Sequence, residues 1–426
     1  MKISKLIKEY SYAIYGLGLS GLSTLKFLKK NKVKKIYTWD DKKNSKNLNS
    51  FKLALNKVDF IVVSPGINIG KTRFKSILIK NKRKIITDLD LFYMQNLSVK
   101  SIMVTGTNGK STTCKLIQHV LRTNKIDAQV GGNIGKPILD IKLKKNSFII
   151  IEVCSFQLSY QKFFKPTFAM ILNISKDHLD WHGTIINYQN SKYNIFSNQG
   201  PRDHALLSHK NHIKTFKVKS FQSKLFRVAM GGVEKNFKKK INNKYLLKKP
   251  NFENISFVYK LSIILKIKKK IVIKALNTFK GLPHRNEIFL RKRGIVFIND
   301  SKATSFDATQ HALKNNKNIF WIVGGLPKLG DNFNLLKLKK NIIKSYIIGK
   351  KINYFKKQIG DGVKYKSSRT VENAIKDIIE DLFLLKKNRA TILFSPASAS
   401  YDQFNNFAER GNHFKKNALK YARKFL

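Results

Sequence analysis

Near residue 100 the chain reads Val104-Thr-Gly-Thr-Asn-Gly-Lys-Ser-Thr112. The apolar run 101–105 predicts a buried strand, and the pattern over 113–122 predicts a helix. Gly-Lys-Ser at a strand-to-helix junction is typical of a loop whose backbone N–H groups surround phosphates, with the lysine on the outer phosphates and the hydroxyl on Mg²⁺. A strict G-x-x-x-x-G-K-[ST] motif needs glycine at position 104, so this loop is a shorter variant. It favours ATP binding over a purely structural loop. The predicted ATP-binding residues here are Gly106, Thr107, Asn108, Gly109, Lys110, Ser111 and Thr112.

A second glycine-rich loop, Gly16-Leu-Gly-Leu-Ser-Gly21, fits G-x-G-x-x-G. It follows a predicted strand at 12–15 and opens a predicted helix, and Asp40 and Asp41 lie about twenty residues further on, as in dinucleotide-binding folds. Glycines there let backbone N–H groups approach a diphosphate at a helix N-terminus. The loop alone fits a nicotinamide or flavin dinucleotide, another nucleotide diphosphate, or a plain tight turn. Two nucleotide-type loops disfavour a simple dehydrogenase and suggest that one nucleotide is a handle on the substrate while the other supplies energy.

Alternating strand and helix patterns predict an α/β protein of three domains. We expect a Rossmann-like N-terminal domain at 1–93 and a Rossmann-like C-terminal domain at 284–426. Between them, 94–283 should form a P-loop ATPase domain with a mostly parallel sheet and a small antiparallel part. The short, lysine-rich, alternating stretch 210–249 is the candidate for those peripheral antiparallel strands. Gly281-Leu-Pro283 marks the second boundary.

Two polar side chains follow apolar runs that read as neighbouring strands. Glu152 ends the run 148–151, and His178 comes shortly after the run 168–173. The carboxyl ends of parallel strands share one edge of a sheet, where ligands bind. Both residues are therefore candidates for a Mg²⁺ site beside the phosphate loop, although a surface glutamate and a structural histidine remain open alternatives.

The composition limits the class of protein. Among 426 residues, 84 are Lys or Arg and 25 are Asp or Glu, giving a net charge of +59. The cations are mostly lysines spread along the whole chain, which indicates a solvated surface rather than a nucleic-acid or membrane-binding stripe. Such a field still attracts polyanionic small molecules. With two cysteines, no apolar run near the ~18 residues of a membrane span and no leader-like N-terminus, we expect a soluble cytoplasmic protein.

Several runs, taken together and in order, resemble the Mur ligase family of ATP-dependent enzymes that add amino acids to the peptidoglycan precursor. In the centre of the chain they are Thr105-Gly-Thr-Asn-Gly-Lys-Ser-Thr112, Gly131-Gly-Asn-Ile-Gly135, Glu152-Val-Cys-Ser-Phe-Gln-Leu158 and Leu172-Asn-Ile-Ser-Lys-Asp-His178. Those that narrow the resemblance to the D-glutamate-adding branch are Gly281-Leu-Pro-His-Arg285, Asn299-Asp-Ser-Lys-Ala-Thr304, Ser395-Pro-Ala-Ser-Ala-Ser-Tyr-Asp-Gln-Phe404 and Phe407-Ala-Glu-Arg-Gly411.

The resemblance implies a UDP-binding domain, a central ATPase domain and a C-terminal glutamate-binding domain. The substrates would be UDP-N-acetylmuramoyl-L-alanine and D-glutamate, and the cofactors ATP and two Mg²⁺ ions. The substrate carboxylate would attack the γ-phosphate of ATP, and the amine of D-glutamate would then attack the resulting acyl phosphate. The enzyme would be a cytoplasmic monomer in peptidoglycan precursor synthesis, and so in cell wall biogenesis, cell shape and cell division, with no nucleic-acid partner and no membrane insertion.

Roles carry over residue by residue from the resemblance. The catalytic set would be Lys110, His178, Lys192 and Glu152, and the Mg²⁺ ligands Ser111, Glu152, His178 and Lys192 as a carbamate. Residues on ATP from outside the loop would be Asn251, Asn254, Arg285, Asp300 and Lys302. Residues on the UDP-sugar-peptide would be Leu19, Ser20, Asp40, Asn133 and Gln157, and on D-glutamate Thr304, Lys328, Ser400 and Phe407.

Five positions depart from the family pattern without removing a predicted metal ligand or phosphate contact: Cys154, Lys176, Pro250, Leu326 and Pro327. Three other interpretations stay open. One is a sister ligase for another amino acid, similar to folylpolyglutamate synthase. The second is a basic nucleic-acid-binding protein with an ATPase core. The third is the nicotinamide-dependent dehydrogenase that the first glycine loop alone would allow.

Overall fold

We describe a computed structural model of the chain over residues 7–42, 48–229, 237, 239–243, 245–247, 251–327 and 331–425. The described residues form three sheets in two compact units, Met1–Lys280 and Gly281–Leu426. Each sheet lies within one of the three predicted domain ranges, and the ranges themselves remain a prediction. Within the described part of the chain, no helix is both long enough and apolar enough to cross a membrane.

The first sheet is parallel and has the strand order β2-β1-β3-β4. Its strands are β1 (Tyr12–Tyr15), β2 (Ile36–Trp39), β3 (Phe60–Val63) and β4 (Ile85–Ile86). The helices between and after them are α1 (Leu19–Lys30), α2 (Leu48–Lys57), α3 (Lys75–Lys80) and α4 (Asp88–Gln95). Two apolar clusters pack on the sheet, so its central strand β1 is buried on both faces, as expected for a parallel sheet between helices.

The second sheet is also parallel, in the order β10-β9-β8-β5-β7-β6. Its strands are β5 (Lys100–Thr105), β6 (Ala128–Gly132), β7 (Phe148–Glu152), β8 (Phe168–Ile171), β9 (His204–Leu207) and β10 (Lys224–Arg227). The associated helices are α5 (Lys110–Thr123), α6 (Ser155–Tyr160), α7 (Leu179–His182), α8 (Ile185–Tyr193), α9 (Lys210–Val218), α10 (Asn251–Ile264) and α11 (Lys269–Thr278). Because β5 lies between β7 and β8, the loops after these three strands meet at one edge.

The prediction of antiparallel strands within 210–249 is wrong where that stretch is described. Residues Lys210–Val218 form helix α9, and Lys224–Arg227 forms an edge strand that pairs in parallel with β9. Ile213 and Phe216, three residues apart, are the buried positions of this helix, so a helical spacing lay beneath the alternating lysines. Much of 230–250 falls outside the described residues.

The third sheet, in the C-terminal unit, has the order β11-β12-β16-β13-β14-β15. Its strands are β11 (Glu287–Lys292), β12 (Ile295–Asn299), β13 (Ile319–Gly324), β14 (Ile342–Ile348), β15 (Tyr365–Arg369) and β16 (Ala390–Phe394). Its helices are α12 (Phe306–Asn315), α13 (Ile352–Ile359), α14 (Val371–Leu384) and α15 (Phe407–Phe425). The hairpin β11-β12 is antiparallel and the other pairs are parallel, so the antiparallel part predicted for the central domain occurs here instead.

A buried carboxylate joins helix α4 to the segment that precedes β8. One oxygen of Asp90 accepts hydrogen bonds from the N–H groups of Lys162, Phe163 and Phe164 at 2.9, 2.6 and 3.2 Å. Its other oxygen accepts from the N–H and hydroxyl of Thr87, both at 2.9 Å. These donors compensate a side chain that is fully buried. The first and second sheets are thus connected through a specific polar contact within one unit.

Asp88, two residues earlier, is buried with much less compensation. Burial raises the pKa of Asp88 to about 6, while hydrogen bonds to the Gln157 side chain and the Leu89 N–H lower it only in part. The folded protein therefore binds this proton more tightly than the unfolded chain does, where the pKa is about 4. The stability that Asp88 contributes is complete below pH ~4 and is lost as the pH rises through about 6.

We expect Asp88→Asn to reduce the pH dependence of stability. The raised pKa corresponds to about 3 kcal/mol of stability lost between pH ~4 and ~7, at about 1.4 kcal/mol per pKa unit, and the amide has no such titration. Unfolding free energies measured across that range for wild type, Asp88→Asn and the exposed-site control Asp361→Asn check this. The same pH slope in wild type and Asp88→Asn would contradict it.

Candidate nucleotide and metal site

The predicted phosphate loop lies at the carboxyl edge of the second sheet, between β5 and α5. Helix α5 begins at Lys110, three residues before the predicted start, and its N-cap is Gly109, without a side-chain cap. Ser111 and Thr112 therefore belong to the first helical turn. N–H groups in a first turn lack intrahelical partners, and the helix dipole favours an anion there. The predicted phosphate-binding residues thus converge on one anion-binding helix end.

Glycine is required at the N-cap for two independent reasons. Gly109 has φ +84, a left-handed conformation that disfavours other residues. A Cβ atom placed on it would also lie 2.3 Å from Oδ1 of Asn254. The first turn of α10 therefore packs directly against the phosphate loop.

Lys110 folds back over its own loop. Its Nζ donates to the carbonyl oxygens of Gly106 at 2.7 Å and Thr107 at 2.8 Å. These contacts hold the ammonium group beside the loop, where a phosphate oxygen would compete with the carbonyls as a charged and stronger acceptor.

Glu152 provides a buried carboxylate on the adjacent strand. It pairs with Val104 in the β5-β7 register and is 3% exposed. Oε1 accepts a hydrogen bond from Nδ2 of Asn133 at 2.9 Å, whereas Oε2 has no hydrogen-bond partner among the described residues. A buried carboxylate oxygen without a donor is costly unless a cation binds it. This orphaned oxygen fits the predicted Mg²⁺ ligand.

Lys192, on α8, lies beside the same loop, although it follows Thr105 by 87 positions in the sequence. Its side chain is 1% exposed, and Nζ donates to the carbonyl of Gly106 at 3.0 Å while lying 4.6 Å from the ring centre of Tyr188. Burial lowers the pKa of Lys192 to about 7, and the nearby Lys110 cation lowers it further in the same direction. A substantial fraction of this amine is therefore neutral near neutral pH.

His178 stands at the N-cap of α7 with φ +51. Its ring packs against Phe156, with centres 4.9 Å apart, and Nε2 lies 3.5 Å from a carboxylate oxygen of Asp177. About half of the side chain is exposed. Across the described residues, no three His, Cys, Asp or Glu side chains cluster as a metal site, and the predicted ligand set includes only two residues of these types.

The predicted adenine pair lies beside the loop on the first turn of α10. Nδ2 of Asn254 donates to Oδ1 of Asn251 at 3.1 Å, and Oδ1 of Asn254 accepts from the Thr113 hydroxyl at 3.1 Å. Both asparagines are nearly buried. The structure therefore brings these two residues together with the phosphate loop.

Of the two predicted sugar-peptide contacts, Asn133 is exposed and bonded to Glu152, but Gln157 is 2% exposed. The Gln157 amide is engaged internally, accepting from the N–H of Cys154 at 3.2 Å and contacting Asp88. Its predicted role in substrate contact stays a prediction.

The N-terminal glycine loop is closed by the acidic residue after β2. Oδ2 of Asp40 accepts a hydrogen bond from the N–H of Leu17 at 2.6 Å. A Cβ atom on Gly21 would lie 1.8 Å from the carbonyl oxygen of Gly16, so only glycine fits there. Leu19 is 82% exposed at the start of α1, next to Ser20. The predicted nucleotide contacts thus surround one loop.

In the C-terminal unit, Asp300 is buried at the end of β12. Burial raises its pKa to about 6, opposed by donors from the Ser395 hydroxyl at 2.7 Å and the Asn286 N–H at 2.9 Å. Nζ of Lys302 lies 5.0 Å from the ring centre of Phe407. Arg285, Thr304 and Ser400 are placed by the loops before β11, after β12 and after β16. Lys328 lies outside the described residues, as does Pro250.

Comparison with known proteins gives consistent results. Residues 104–272 match the Mur ligase middle domain. A UDP-N-acetylmuramoylalanine--D-glutamate ligase of Rickettsia bellii is 32% identical over 442 residues, covering 96% of this chain and 97% of its own length. The enzyme of the same name from Aquifex aeolicus is 33% identical, covering 95% of this chain and 97% of its own length. This chain belongs to the Mur ligase family.

Mur ligases are ATP-dependent ligases, and this chain is an enzyme of that class. Solved structures share its fold at low identity. MurF from Acinetobacter baumannii gives a TM-score of 0.57 at 16% identity, covering 88% of this chain and 81% of its own. MurC from Thermotoga maritima gives 0.56 at 18% identity, covering 96% and 99%. The predicted α/β fold class is thereby confirmed.

In this Mur ligase, sequence reasoning missed the part played by Arg410. The side chain is 1% exposed and bonds Oγ of Ser301 at 3.1 Å and the carbonyls of Ser301 and Ser398, both at 2.9 Å. It thereby joins the loops after β12 and β16, which carry predicted substrate residues. An arginine inside the quoted Phe407–Gly411 run was the only available signal, because its burial depends on distant segments.

We expect Gly109→Ala to weaken ATP binding by about tenfold or more. The added methyl group must displace Asn254, and the alanine must adopt a left-handed backbone conformation. Together these two effects cost on the order of 1–3 kcal/mol. Equilibrium titration with ATP, alongside thermal unfolding, checks this. Gly360, which has φ +61 and open space around its Cβ position, supplies the control Gly360→Ala. Unchanged ATP affinity in Gly109→Ala would contradict the assignment of this loop.

Proposed function

We propose that this Mur ligase adds D-glutamate to UDP-N-acetylmuramoyl-L-alanine in an ATP-dependent step of cytoplasmic peptidoglycan precursor synthesis. Similarity over nearly the full length to several ligases of that name carries the substrate assignment. The phosphate loop with Lys110 folded over it supports ATP as the energy source.

The reaction has two steps. A carboxylate oxygen of the substrate attacks the γ-phosphorus of ATP, the bond to the bridging oxygen breaks, and ADP leaves with that oxygen. The amine nitrogen of D-glutamate then attacks the acyl carbon, and the carbon–oxygen bond breaks to release phosphate while the amine loses a proton. Catalysis of this kind depends on positioning and charge neutralisation. Lys110 supplies a cation at the γ-phosphate, and the first turn of α5 supplies N–H donors.

Mg²⁺ at two sites would neutralise the phosphate charge. Ser111, Glu152, His178 and Lys192 as a carbamate would be its protein ligands. The orphaned Oε2 of Glu152 supports this set, because a hard oxygen ligand is what Mg²⁺ prefers. Asn133 would hold the other oxygen of Glu152 in a fixed direction.

Carbamylation of Lys192 would convert a buried cation into an anionic oxygen ligand. The neutral amine adds to the carbon of CO₂ and loses a proton, giving N–CO₂⁻. Burial, the lowered pKa and the proximity of Lys110 all favour the neutral amine that this addition needs. The modification also removes a repulsion between two lysines that share the Gly106 carbonyl.

The three predicted domains would divide the binding of the UDP substrate, ATP and D-glutamate among them. Domain 1–93 would hold UDP through Leu19, Ser20 and Asp40, with the sugar-peptide near Asn133 and Gln157. Domain 94–283 would bind ATP with Asn251 and Asn254 at the adenine. Domain 284–426 would supply Arg285, Asp300 and Lys302 to ATP, and Thr304, Lys328, Ser400 and Phe407 to D-glutamate. The enzyme would act as a monomer.

Phosphate release from ATP in the presence of UDP-N-acetylmuramoyl-L-alanine tests the proposed function. We expect turnover with D-glutamate and little with L-glutamate, L-alanine or L-lysine, because each carboxylate of the amino acid needs its own donors in fixed positions. Lys110→Ala provides the inactive control. Preference for an amino acid other than D-glutamate would favour a sister ligase, and no turnover with any of them would contradict the proposal.

Lys192→Ala should lower turnover by about 100-fold or more, because it removes a charged group beside the phosphates. If the lysine acts as a carbamate, short carboxylic acids such as acetate should restore part of the activity by filling the cavity with a carboxylate. Lys176→Ala, at an exposed lysine in the loop after β8, is the matched control. Activity close to wild type, or a loss that no carboxylic acid restores, would contradict the carbamate role.

A further inference from the structure

Asn173 shapes the phosphate loop from the neighbouring strand end. Its main-chain carbonyl accepts a hydrogen bond from the N–H of Thr107 at 2.9 Å. Its side-chain Oδ1 accepts from the N–H of Asn108 at 2.9 Å, and Nδ2 donates to the carbonyl of Asn108 at 3.3 Å. Two N–H groups inside the glycine loop are therefore directed to Asn173. The N–H groups of the first turn of α5 lack intrahelical partners and remain as donors for a phosphate.

Glu253 determines which way the Asn173 amide points. Nδ2 of Asn173 also donates to Oε2 of Glu253 at 2.5 Å, and the second carboxylate oxygen lies 3.3 Å from Nε2 of His209. A flipped amide would place its oxygen against this carboxylate and against the Asn108 carbonyl, which are both acceptors. The charge-assisted bond to Glu253 thus fixes the orientation in which Asn173 can bind the loop.

Glu253 belongs to the first turn of α10, between Asn251 and Asn254. The same helical turn therefore contacts the phosphate loop twice. Asn254 packs where a Cβ of Gly109 would be, and Glu253 reaches Asn108 through Asn173. Because both contacts come from one turn, a displacement of α10 moves both ends of the Asn108-Gly109 peptide together.

We propose that Asn173 and Glu253 are positioning residues that couple the adenine-side turn of α10 to the conformation of the phosphate loop. Neither residue needs to touch ATP. Their hydrogen bonds hold the loop so that its remaining N–H groups point to the phosphates only while α10 is in place. This inference rests on the proposed ATP-dependent function and adds the means by which occupancy at one end of ATP favours binding of the other.

Exchange of the two side-chain chemistries tests the coupling. Asn173→Asp places a carboxylate oxygen against Oε2 of Glu253, so we expect the Kd for ATP to rise about tenfold or more. Adding Glu253→Gln supplies an amide donor to the new carboxylate. The double variant should therefore recover at least half of the lost ATP affinity, measured as the change in log Kd. The KM values for the UDP substrate and D-glutamate should change less than about twofold in both.

The controls separate a specific contact from added charge and from general loosening. Asn211→Asp adds the same charge on the exposed face of α9 and should leave the Kd for ATP unchanged. Thermal unfolding establishes that each variant is folded. If Asn173→Asp does not fold, Glu253→Ala keeps the test open, since it removes the bond without new charge and should raise the ATP Kd several-fold with unchanged KM for D-glutamate.

Wild-type ATP affinity in folded Asn173→Asp, or a double variant no better than the single one, would overturn the coupling. Equal increases in the KM values of all three substrates would also overturn it, because they would indicate a general structural role. If the wild-type enzyme itself bound no ATP, the proposed function would fail together with this inference. A wild-type enzyme that binds ATP and variants that do not respond would reject the coupling alone.

Discussion

The parallel pairing of β5 with β7 and β8 is the constraint on which the central site depends. In this register Val104 lies opposite Glu152 and Thr105 opposite Ile171. The pairing therefore puts a carboxylate on one side of the loop after β5 and Asn173 on the other. A shift of one residue would turn Glu152 toward the opposite face of the sheet and leave its charge among apolar side chains. All three strands are buried on both faces over most of their length, as expected for a parallel sheet covered by helices.

The charged side chains beside this loop include two lysines and one carboxylate, a set that favours an anionic ligand. Lys110 and Lys192 both donate to the carbonyl of Gly106, and Glu152 is the buried carboxylate nearby, at the end of the adjacent strand. Two cations this close disfavour each other, which contributes to the lowered pKa of Lys192. A bound polyphosphate would relieve the repulsion, and so would the proposed conversion of Lys192 to an anion. The overall charge of +59 strengthens attraction at long range but does not specify this site.

The sequence predicted the elements that are governed by local pattern. Strands such as β7 are continuous apolar runs, and their limits agree to within a residue or two. Motif residues such as Lys110 and Glu152 could be placed at one sheet edge because the carboxyl ends of parallel strands share that edge. The contacts of Asn173 with Glu253, 80 positions apart, could not be predicted, because they depend on how α10 packs. The helix at 210–218 was missed since two buried side chains, separated by polar residues, determine its face.

The two glycine loops share a feature that neither glycine pattern reveals. In each loop, one N–H group donates a hydrogen bond to a side chain that follows a neighbouring parallel strand. The Leu17 N–H donates to Oδ2 of Asp40 at 2.6 Å, and the Asn108 N–H donates to Oδ1 of Asn173 at 2.9 Å. Glycine permits the bend, but it does not select among the bent conformations. The side chain from the adjacent strand end selects one of them, and so decides which backbone donors are left for the ligand. The first loop is held by a carboxyl group and the second by an amide, so the residue that holds the second loop carries no ionisable group.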